Sequence, residues 1–185
     1  MEVVKTIDGR EYPIVMTPSE ETRAEFEALL ERHGGIIRKI AFSYARNESD
    51  RRDLTQDILL QLWKAYPRYS SERQFSTWMY RIALNVSISF LRKNTRPGRE
   101  TVHFDEAQHD VADEDSTSEE MKERLTMLHR IVTNYLPLDR ALLLLYLDDR
   151  SYREIANILG LTETNVATKL SRLKQRLRDE LTTKY

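Results

Sequence analysis

Apolar residues recur at helical spacing along most of this 185-residue chain, whereas the strict alternation typical of strands is almost absent. The pattern predicts an all-α fold of two small helical bundles joined by a flexible acidic linker. The predicted helices run over residues 19–33, 36–46, 50–66, 75–94, 119–135, 138–147, 151–159 and 162–181. Residues 1–18 lack this spacing, so they are predicted to be irregular or briefly extended.

Glycine and proline residues mark the ends of the predicted helices. The Gly34-Gly35 pair is predicted to end the first helix, because glycine is a poor helix former. Pro67 ends the third helix, and the Pro97-Gly98 pair closes the fourth. Residues 67–74, between these two helices, are predicted to form a polar loop.

Charge is distributed unevenly along the chain, although the formal net charge is only −1. Residues 99–120 contain nine acidic residues and a single arginine, which gives this segment a charge of −8 and leaves +7 on the rest of the chain. Residues 97–118 have few large apolar side chains and no periodicity, so they are predicted to be the linker. The two blocks that the linker separates are basic, as expected of a protein that binds nucleic acid.

Composition disfavours several classes of protein. The chain has no cysteine, so disulfides and thiolate metal sites are excluded. The longest apolar run, residues 141–147, is too short to span a bilayer, and no signal peptide is evident, so a cytoplasmic location is expected. The five glycines form no phosphate-binding loop, and the four histidines are dispersed. We therefore predict a protein that is not an enzyme and has no catalytic residue, metal, cofactor or small-molecule substrate.

The residues from 151 onward have the layout of a helix-turn-helix. Ser151 can cap a helix, and Glu154 follows at the position that completes a capping box. Gly160 fits the left-handed position that ends this helix, and Thr162 can cap the next one. Two capped helices joined through a glycine are typical of DNA-binding helix pairs.

Two apolar faces are predicted to hold this helix pair together. The first consists of Ile155, Ala156 and Leu159, and the second of Val166, Leu170, Leu173, Leu177 and Leu181. The opposite face of the second helix carries polar and basic side chains that can bind base edges and phosphates. A solvated amphipathic helix would carry similar charges, but the capped pattern favours DNA binding.

The helix that contains residues 53–63 has one apolar face and one polar face. Leu54, Ile58 and Leu62 are predicted to point inward. Leu60 instead shares the other face with acidic and amide residues. This face is either a surface for a protein partner or a solvated face with one exposed leucine, and the sequence favours neither.

Aromatic and basic residues are interleaved over residues 68–93, as expected of a surface that binds single-stranded nucleic acid. Three aromatic or aliphatic residues at helical spacing are interpreted as core: Phe75, Trp78 and Ile82. The residues that lie away from this stripe remain candidates for contacts with bases or phosphates: Tyr80, Arg81 and Asn85.

Three motifs, in this order, resemble those of a bacterial RNA polymerase sigma factor. They are DLTQDILLQLW from Asp53, FSTWMYRIALNVSISFLRK from Phe75, and SYREIANILGLTETNVATKLSRLKQRLR from Ser151. The resemblance is to the short extracytoplasmic-function type, which has only the second and fourth conserved regions, and it covers residues 22–95 and 119–182. It implies a region 2 domain over 19–96, the linker over 97–118 and a region 4 domain over 119–185. Residues 1–18 form an N-terminal extension that lies outside the family pattern.

The resemblance implies that the chain binds core RNA polymerase and directs it to promoter DNA, and that an anti-sigma factor inhibits it. The positions that match the core-binding surface are Asp53, Gln56, Asp57, Leu60 and Gln61. Those that match the surface that reads and melts the −10 element are Arg68, Tyr69, Tyr80, Arg81, Asn85 and Arg92. Those that match the −35 surface are Thr164, Asn165, Thr168, Lys169, Arg172 and Arg176. The acidic linker would thread the polymerase near the template and nascent RNA, or it would be only a soluble tether.

Three positions depart from the family pattern. Members commonly have a basic residue at the positions of Leu84 and Ala167, and an aspartate at the position of Ser89. These departures leave the promoter sequence open.

Two other interpretations also remain open. A stand-alone helix-turn-helix repressor or activator would explain residues 151–185 but not the N-terminal block, and it would usually need a dimer surface. A regulator that mimics a sigma factor could bind protein alone.

Overall fold

A computed structural model describes residues 4–7, 10–13, 19–94 and 134–183 of the chain. The chain divides into two compact units, residues 1–32 and residues 33–185. The first unit contains an antiparallel hairpin of β1 (Val4–Ile7) and β2 (Arg10–Pro13), in which Val4 pairs with Pro13 and Ile7 pairs with Arg10. The prediction of an irregular or briefly extended segment did not specify this pairing.

Helices make up most of the rest of the described chain. They are α1 (Glu20–Tyr44), α2 (Glu48–Ala65), α3 (Phe75–Asn94), α4 (Pro137–Leu147), α5 (Tyr152–Leu159) and α6 (Glu163–Thr183), with a 3-10 turn at Tyr66–Arg68. The predicted helical fold class is confirmed. α1–α3 make up the predicted N-terminal bundle and α4–α6 the predicted C-terminal bundle, and from residue 33 onward both belong to one compact unit. None of the described helices is long and apolar enough to cross a membrane. The predicted linker and the predicted helix over 119–135 lie outside the described residues, apart from residues 134 and 135.

α1 runs without interruption through Gly34 and Gly35, so the predicted break at this pair is wrong. Glycine permits a left-handed conformation but does not require one, and neither glycine has a positive φ. Each costs a helix about 1 kcal/mol relative to alanine. Burial of Ile37, Ile40 and Tyr44 beyond the pair offsets this cost, because each is at most 4% exposed.

α2 and α3 pack against each other in the N-terminal bundle. Leu54, Ile58 and Leu62 of α2 are fully buried, as predicted. α2 is capped by Asn47, whose side-chain oxygen accepts a hydrogen bond from the backbone N–H of Asp50 at 2.8 Å. Burial of one face of α2 leaves its polar face outside.

α5 and α6 form the predicted helix-turn-helix. Ser151 and Glu154 form the capping box, and Gly160 ends α5 with a φ of 68°, in the left-handed region. The Thr162 hydroxyl oxygen accepts a hydrogen bond from the backbone N–H of Asn165 at 3.2 Å, so the predicted cap of α6 is confirmed.

The apolar faces of this helix pair differ in part from the predicted ones. The residues buried as predicted are Ile155, Ala156, Val166, Leu170 and Leu173. Leu159 is only half-buried, whereas Ile158 is buried. The reason is that α5 packs against α3 and α4 as well as α6, so more than one stripe of this short helix is covered. Leu177 is half-buried, and the side chain of Leu181 lies outside the description.

Candidate nucleic-acid interface

α6 presents most of the predicted −35 residues to solvent on one side of a single helix. The exposed members are Thr164, Asn165, Thr168, Arg172 and Arg176, and Lys169 is half-buried beside them. The Thr168 hydroxyl donates a hydrogen bond to the backbone carbonyl of Thr164 at 2.9 Å, which fixes its orientation. The guanidinium carbon of Arg176 lies 5.7 Å from the ring centroid of Tyr135, so this arginine is held at the edge of the surface.

The predicted core-binding residues form an exposed stripe on α2. Its members are Asp53, Gln56, Asp57, Leu60 and Gln61. Leu60 is 47% exposed, on the face opposite the buried leucines of this helix. Single exposed leucines are common on protein surfaces, so this exposure agrees with a partner surface but does not by itself establish one.

An aromatic cluster fixes the loop between α2 and α3. The ring centroid of Tyr69 lies 6.0 Å from that of Tyr66, 5.3 Å from that of Phe75 and 5.1 Å from that of Trp78. The Tyr69 hydroxyl donates a hydrogen bond to the backbone carbonyl of Arg73 at 2.7 Å. Tyr69 is therefore a half-buried, well-positioned member of the predicted −10 surface.

Phe75 is buried as predicted, but Trp78 and Ile82 are only half-buried. Arg68, at the end of the 3-10 turn, is exposed. Of the three residues predicted to be core in this segment, Phe75 is therefore the buried one.

Three of the predicted −10 residues lie on one exposed stripe of α3. Arg81, Asn85 and Arg92 are spaced at helical intervals, and all three are exposed. Ser89, at a position where the family commonly has an aspartate, is exposed on the same stripe. Two arginines and an amide on one face can contact phosphates and base edges.

Tyr80 is buried, so the prediction that it lies away from the buried face of α3 is wrong. Its hydroxyl donates a hydrogen bond to the carboxylate of Asp148, and the guanidinium carbon of Arg150 lies 5.2 Å from its ring centroid. Burial, followed by the hydrogen bond to Asp148, raises the pKa of the Tyr80 phenol. The sequence of α3 alone could not reveal this burial, because α4 and α5 pack against the helix from a distant part of the chain.

Leu84 is also buried, at 1% exposure. Members of the family commonly have a basic residue at this position. In this chain the position belongs to the apolar core, so it cannot contribute a contact to DNA in this conformation.

A polar cluster that the sequence reasoning missed joins α1 to α4. Arg140 donates a hydrogen bond from Nη1 to the backbone carbonyl of Ser43 at 2.7 Å, and its guanidinium carbon lies 5.0 Å from the ring centroid of Tyr44. The Tyr44 hydroxyl donates to the carbonyl of Pro137 at 2.7 Å. Burial lowers the pKa of Arg140 and raises that of Tyr44. The available sequence signal was an arginine within the apolar α4 segment, because a buried guanidinium needs partners.

Two family models match the chain, and their limits follow the two bundles. Sigma-70 region 2 matches residues 29–97, and Sigma-70 region 4 matches residues 136–177. Together these matches cover more than half of the chain. The protein therefore belongs to the sigma-70 family of RNA polymerase sigma factors. Its relatives place it in the extracytoplasmic-function group of that family.

Similar proteins extend over most of the chain. It is 29% identical, over 82% of its length and 84% of the relative, to the RNA polymerase sigma factor NccH of Alcaligenes xylosoxydans xylosoxydans. It is 25% identical, over 89% of its length and 65% of the relative, to the ECF RNA polymerase sigma factor SigE of Mycolicibacterium smegmatis. The fold resembles that of the sigma factor RpoE, solved in complex with the anti-sigma factor NepR from Bartonella quintana. That match has a TM-score of 0.69 and 21% identity, and covers 85% of this chain and 97% of the other.

Proposed function

We propose that this chain binds core RNA polymerase, directs it to promoters by recognising a −35 and a −10 element, and aids DNA melting. One observation carries the proposal: the polar face of α6 and the stripe of Arg81, Asn85 and Arg92 on α3 are two exposed polar surfaces on different helices of one chain. Two base-reading surfaces suit a protein that contacts two promoter elements at once. A stand-alone helix-turn-helix factor would need only the first.

The exposed stripe of α2 is the proposed surface for core polymerase. Leu60 is 47% exposed, so burying the rest of its side chain against a partner would stabilise a complex by about half of the 1.5–3 kcal/mol for full burial, or about 1 kcal/mol. The acidic and amide neighbours supply hydrogen-bond acceptors and negative charge around it. These neighbours are Asp53, Gln56, Asp57 and Gln61.

The −10 element is proposed to bind along α3 and the loop before it. Arg81, Asn85 and Arg92 would follow the strand, and the aromatic cluster around Tyr69 offers rings on which unstacked bases can lie. Binding to unstacked bases offsets the cost of melting the duplex. Tyr80 can join this surface only if α4 and α5 move away from α3.

The −35 element is proposed to bind α6 through its major groove. Asn165 and Arg172 are the residues best suited to read bases, because amide and guanidinium groups can each form paired hydrogen bonds with one base. Lys169 and Arg176, at the edge of the surface, suit contacts with phosphates.

Regulation by an anti-sigma factor is part of the proposal. The structural neighbour RpoE was solved with such a partner. A protein that covered the α2 stripe would prevent core binding.

The proposal assigns separate roles to the remaining parts of the chain. The region 2 domain would occupy 19–96 and the region 4 domain 119–185, joined by the acidic linker over 97–118. Phosphodiester bond formation would be catalysed by the polymerase, so this chain would not itself be an enzyme. Because it acts with polymerase on the chromosome, its place of action would be the cytoplasm.

Run-off transcription tests this function directly. Core polymerase is incubated, with and without the chain, on a pool of templates whose upstream region is randomised, and the transcripts are sequenced. The expected result is new transcripts whose templates share two motifs at fixed spacing. A variant in which Asp57 and Leu60 are replaced by alanine should lose this activity while keeping its fold, because both residues are exposed.

Two other results would contradict the proposal. Binding of one duplex motif by the chain alone, with no effect on core, would indicate a stand-alone repressor or activator. Binding to core without any new transcript would indicate a regulator that binds only protein.

A further inference from the structure

Tyr135, just before α4, contacts two charged residues of α6. Its ring centroid lies 5.7 Å from the guanidinium carbon of Arg176, and its hydroxyl donates a hydrogen bond to Oε1 of Glu180 at 3.2 Å. The backbone carbonyl of Tyr135 accepts a hydrogen bond from Nη2 of Arg140 at 3.3 Å, and the residue is only 6% exposed. One enclosed aromatic side chain therefore contacts both an arginine and a glutamate of α6.

Arg176 has two acidic residues within reach on its own helix. Asp179 and Glu180 follow it by three and four residues, the spacings at which opposite charges pair on a helix surface. None of the ion pairs among the described residues joins either acid to Arg176. Glu180 is bound by Tyr135, and Asp179 accepts a hydrogen bond from Nε2 of Gln175 at 2.9 Å. Both carboxylates are therefore bound by uncharged donors.

The partner of Glu180 decides whether Arg176 can bind an anion from outside. A guanidinium binds carboxylates and phosphates through the same N–H groups, so a phosphate would compete with a carboxylate that was already paired. An exposed arginine–glutamate pair must order two long side chains, which makes it weak. Tyr135 is already fixed by its surroundings and loses little entropy on binding, so it is favoured over Arg176 as the partner of Glu180.

We infer that Tyr135 is a positioning residue of the −35 surface: it holds Glu180 away from Arg176 and leaves the guanidinium available for a DNA phosphate. Its ring also restricts the directions that the arginine side chain can take. Tyr135 acts through Arg176, so it need not touch DNA itself. The role in DNA binding rests on the proposed function, whereas the arrangement of the three side chains does not.

Nuclear magnetic resonance on the full chain, without polymerase or DNA, tests the arrangement. Tyr135→Phe removes the hydroxyl and keeps the ring, so the fold should persist. The reporter is the Nε–H resonance of Arg176, identified by its loss in Arg176→Lys. Glu180→Gln should leave this resonance nearly unchanged in the wild-type chain. The same substitution should shift it in Tyr135→Phe, because Glu180 pairs with Arg176 there. Equal shifts in the two backgrounds would overturn the positioning role.

Tyr152→Phe is the matched control. It removes another tyrosine hydroxyl that contacts an α6 side chain, since Nζ of Lys174 donates to it at 3.4 Å. In this background the Arg176 resonance should respond to Glu180→Gln as it does in the wild-type chain. A response like that of Tyr135→Phe would contradict a specific role for Tyr135.

Promoter binding by the chain with core polymerase, measured over a range of salt concentrations, tests the role in DNA binding. Tyr135→Phe should weaken binding by about twofold, as expected of competition from an exposed ion pair at this spacing. Glu180→Gln in the same background should restore it. Arg176→Ala should lower the salt dependence by about one phosphate contact, and adding Tyr135→Phe to it should cause no further loss.

The two measurements separate failure of this inference from failure of the proposed function. If Arg176→Ala weakens promoter binding but Tyr135→Phe does not, the positioning role fails alone. If the Arg176 resonance responds as expected but Arg176→Ala leaves promoter binding unchanged, the assignment of Arg176 to phosphate fails, and the role of Tyr135 in DNA binding fails with it. A loss in Tyr135→Phe that Glu180→Gln does not reverse would indicate a general effect on the fold and would overturn the inference.

Discussion

Arg172 is the residue on α6 whose proposed contribution to promoter recognition is easiest to isolate. It is exposed on the polar side of the helix, so its removal should not disturb the core. Arg172→Ala should weaken use of −35-dependent promoters by about 1–3 kcal/mol if the guanidinium reads a base. Arg178→Ala, another exposed arginine farther along α6, serves as the control. Equal losses on unrelated DNA sequences would instead indicate that Arg172 contacts phosphate.

Leu60 and Leu54 lie on opposite faces of α2. Replacement by alanine should therefore affect mainly core binding at Leu60 and mainly the stability of the fold at Leu54. Leu60→Ala should change the free energy of unfolding by less than about 0.5 kcal/mol, since the side chain is 47% exposed, but should weaken binding to core. Leu54→Ala removes a fully buried side chain and should destabilise the fold by about 2–5 kcal/mol. Denaturant unfolding and core-binding titrations measure the two effects. Core binding by Leu60→Ala at full strength would contradict the proposed partner surface.

At the scale of elements, α4 ends in a conformation that its sequence does not favour. Asp149 has a φ of 54°, and the backbone N–H of Arg150 donates to the carbonyl of Leu145 at 3.1 Å, as in a Schellman motif. Asp149→Gly should raise the free energy of unfolding by about 0.5–1 kcal/mol relative to Asp149→Asn. Both variants remove the carboxylate, so their difference in thermal unfolding isolates the backbone. No difference would mean that asparagine, which has the same shape as aspartate, adopts this φ without cost.

The capping box at the start of α5 should make stability depend on pH. Hydrogen bonds from the side chain and backbone of Ser151 lower the pKa of Glu154 below its ordinary value of 4.5. A lowered folded pKa means that this stabilisation is present above the ordinary value and is lost as the pH falls through the folded one. Ser151→Ala should therefore cost about 1 kcal/mol at neutral pH and less in acid.

Glu154→Gln is the control for this pH dependence. Glutamine can keep the capping hydrogen bond but cannot titrate. The difference in unfolding free energy between the wild-type chain and this variant should therefore shrink as the pH falls below 4.5. A difference that is constant from neutral to acidic pH would exclude the capping box as its source.

Elements whose ends depend on local signals could be predicted from the sequence. The caps at Ser151 and Thr162 and the left-handed Gly160 lie as predicted, because each depends on only a few neighbouring residues. The predicted break at the Gly34-Gly35 pair is wrong, since helix continuity there depends on burial farther along α1. The hairpin did have a local signal, the Asp8-Gly9 pair between its strands, which is a common hairpin dipeptide.

At the scale of the whole molecule, contacts between distant helices were not predictable. The buried state of Tyr80 depends on Asp148, 68 residues farther along the chain. Periodicity gives the face that each helix buries within its own bundle, but it does not show that α3 buries a second face. The sequence therefore predicted most of the candidate surfaces, namely α6 and the exposed stripes of α2 and α3, and not the contact that covers Tyr80.

Two-point promoter recognition is the central claim, and DNA binding with and without core tests it most directly. A fluorescent promoter duplex, chosen from the run-off pool, is titrated with the chain alone, with core alone and with both. We expect weak, non-specific binding by the chain alone. With core, binding should be at least about 10³-fold tighter to the promoter than to scrambled DNA. Scrambling either element should abolish that preference. Tight, specific binding of the duplex by the chain without core would contradict the account.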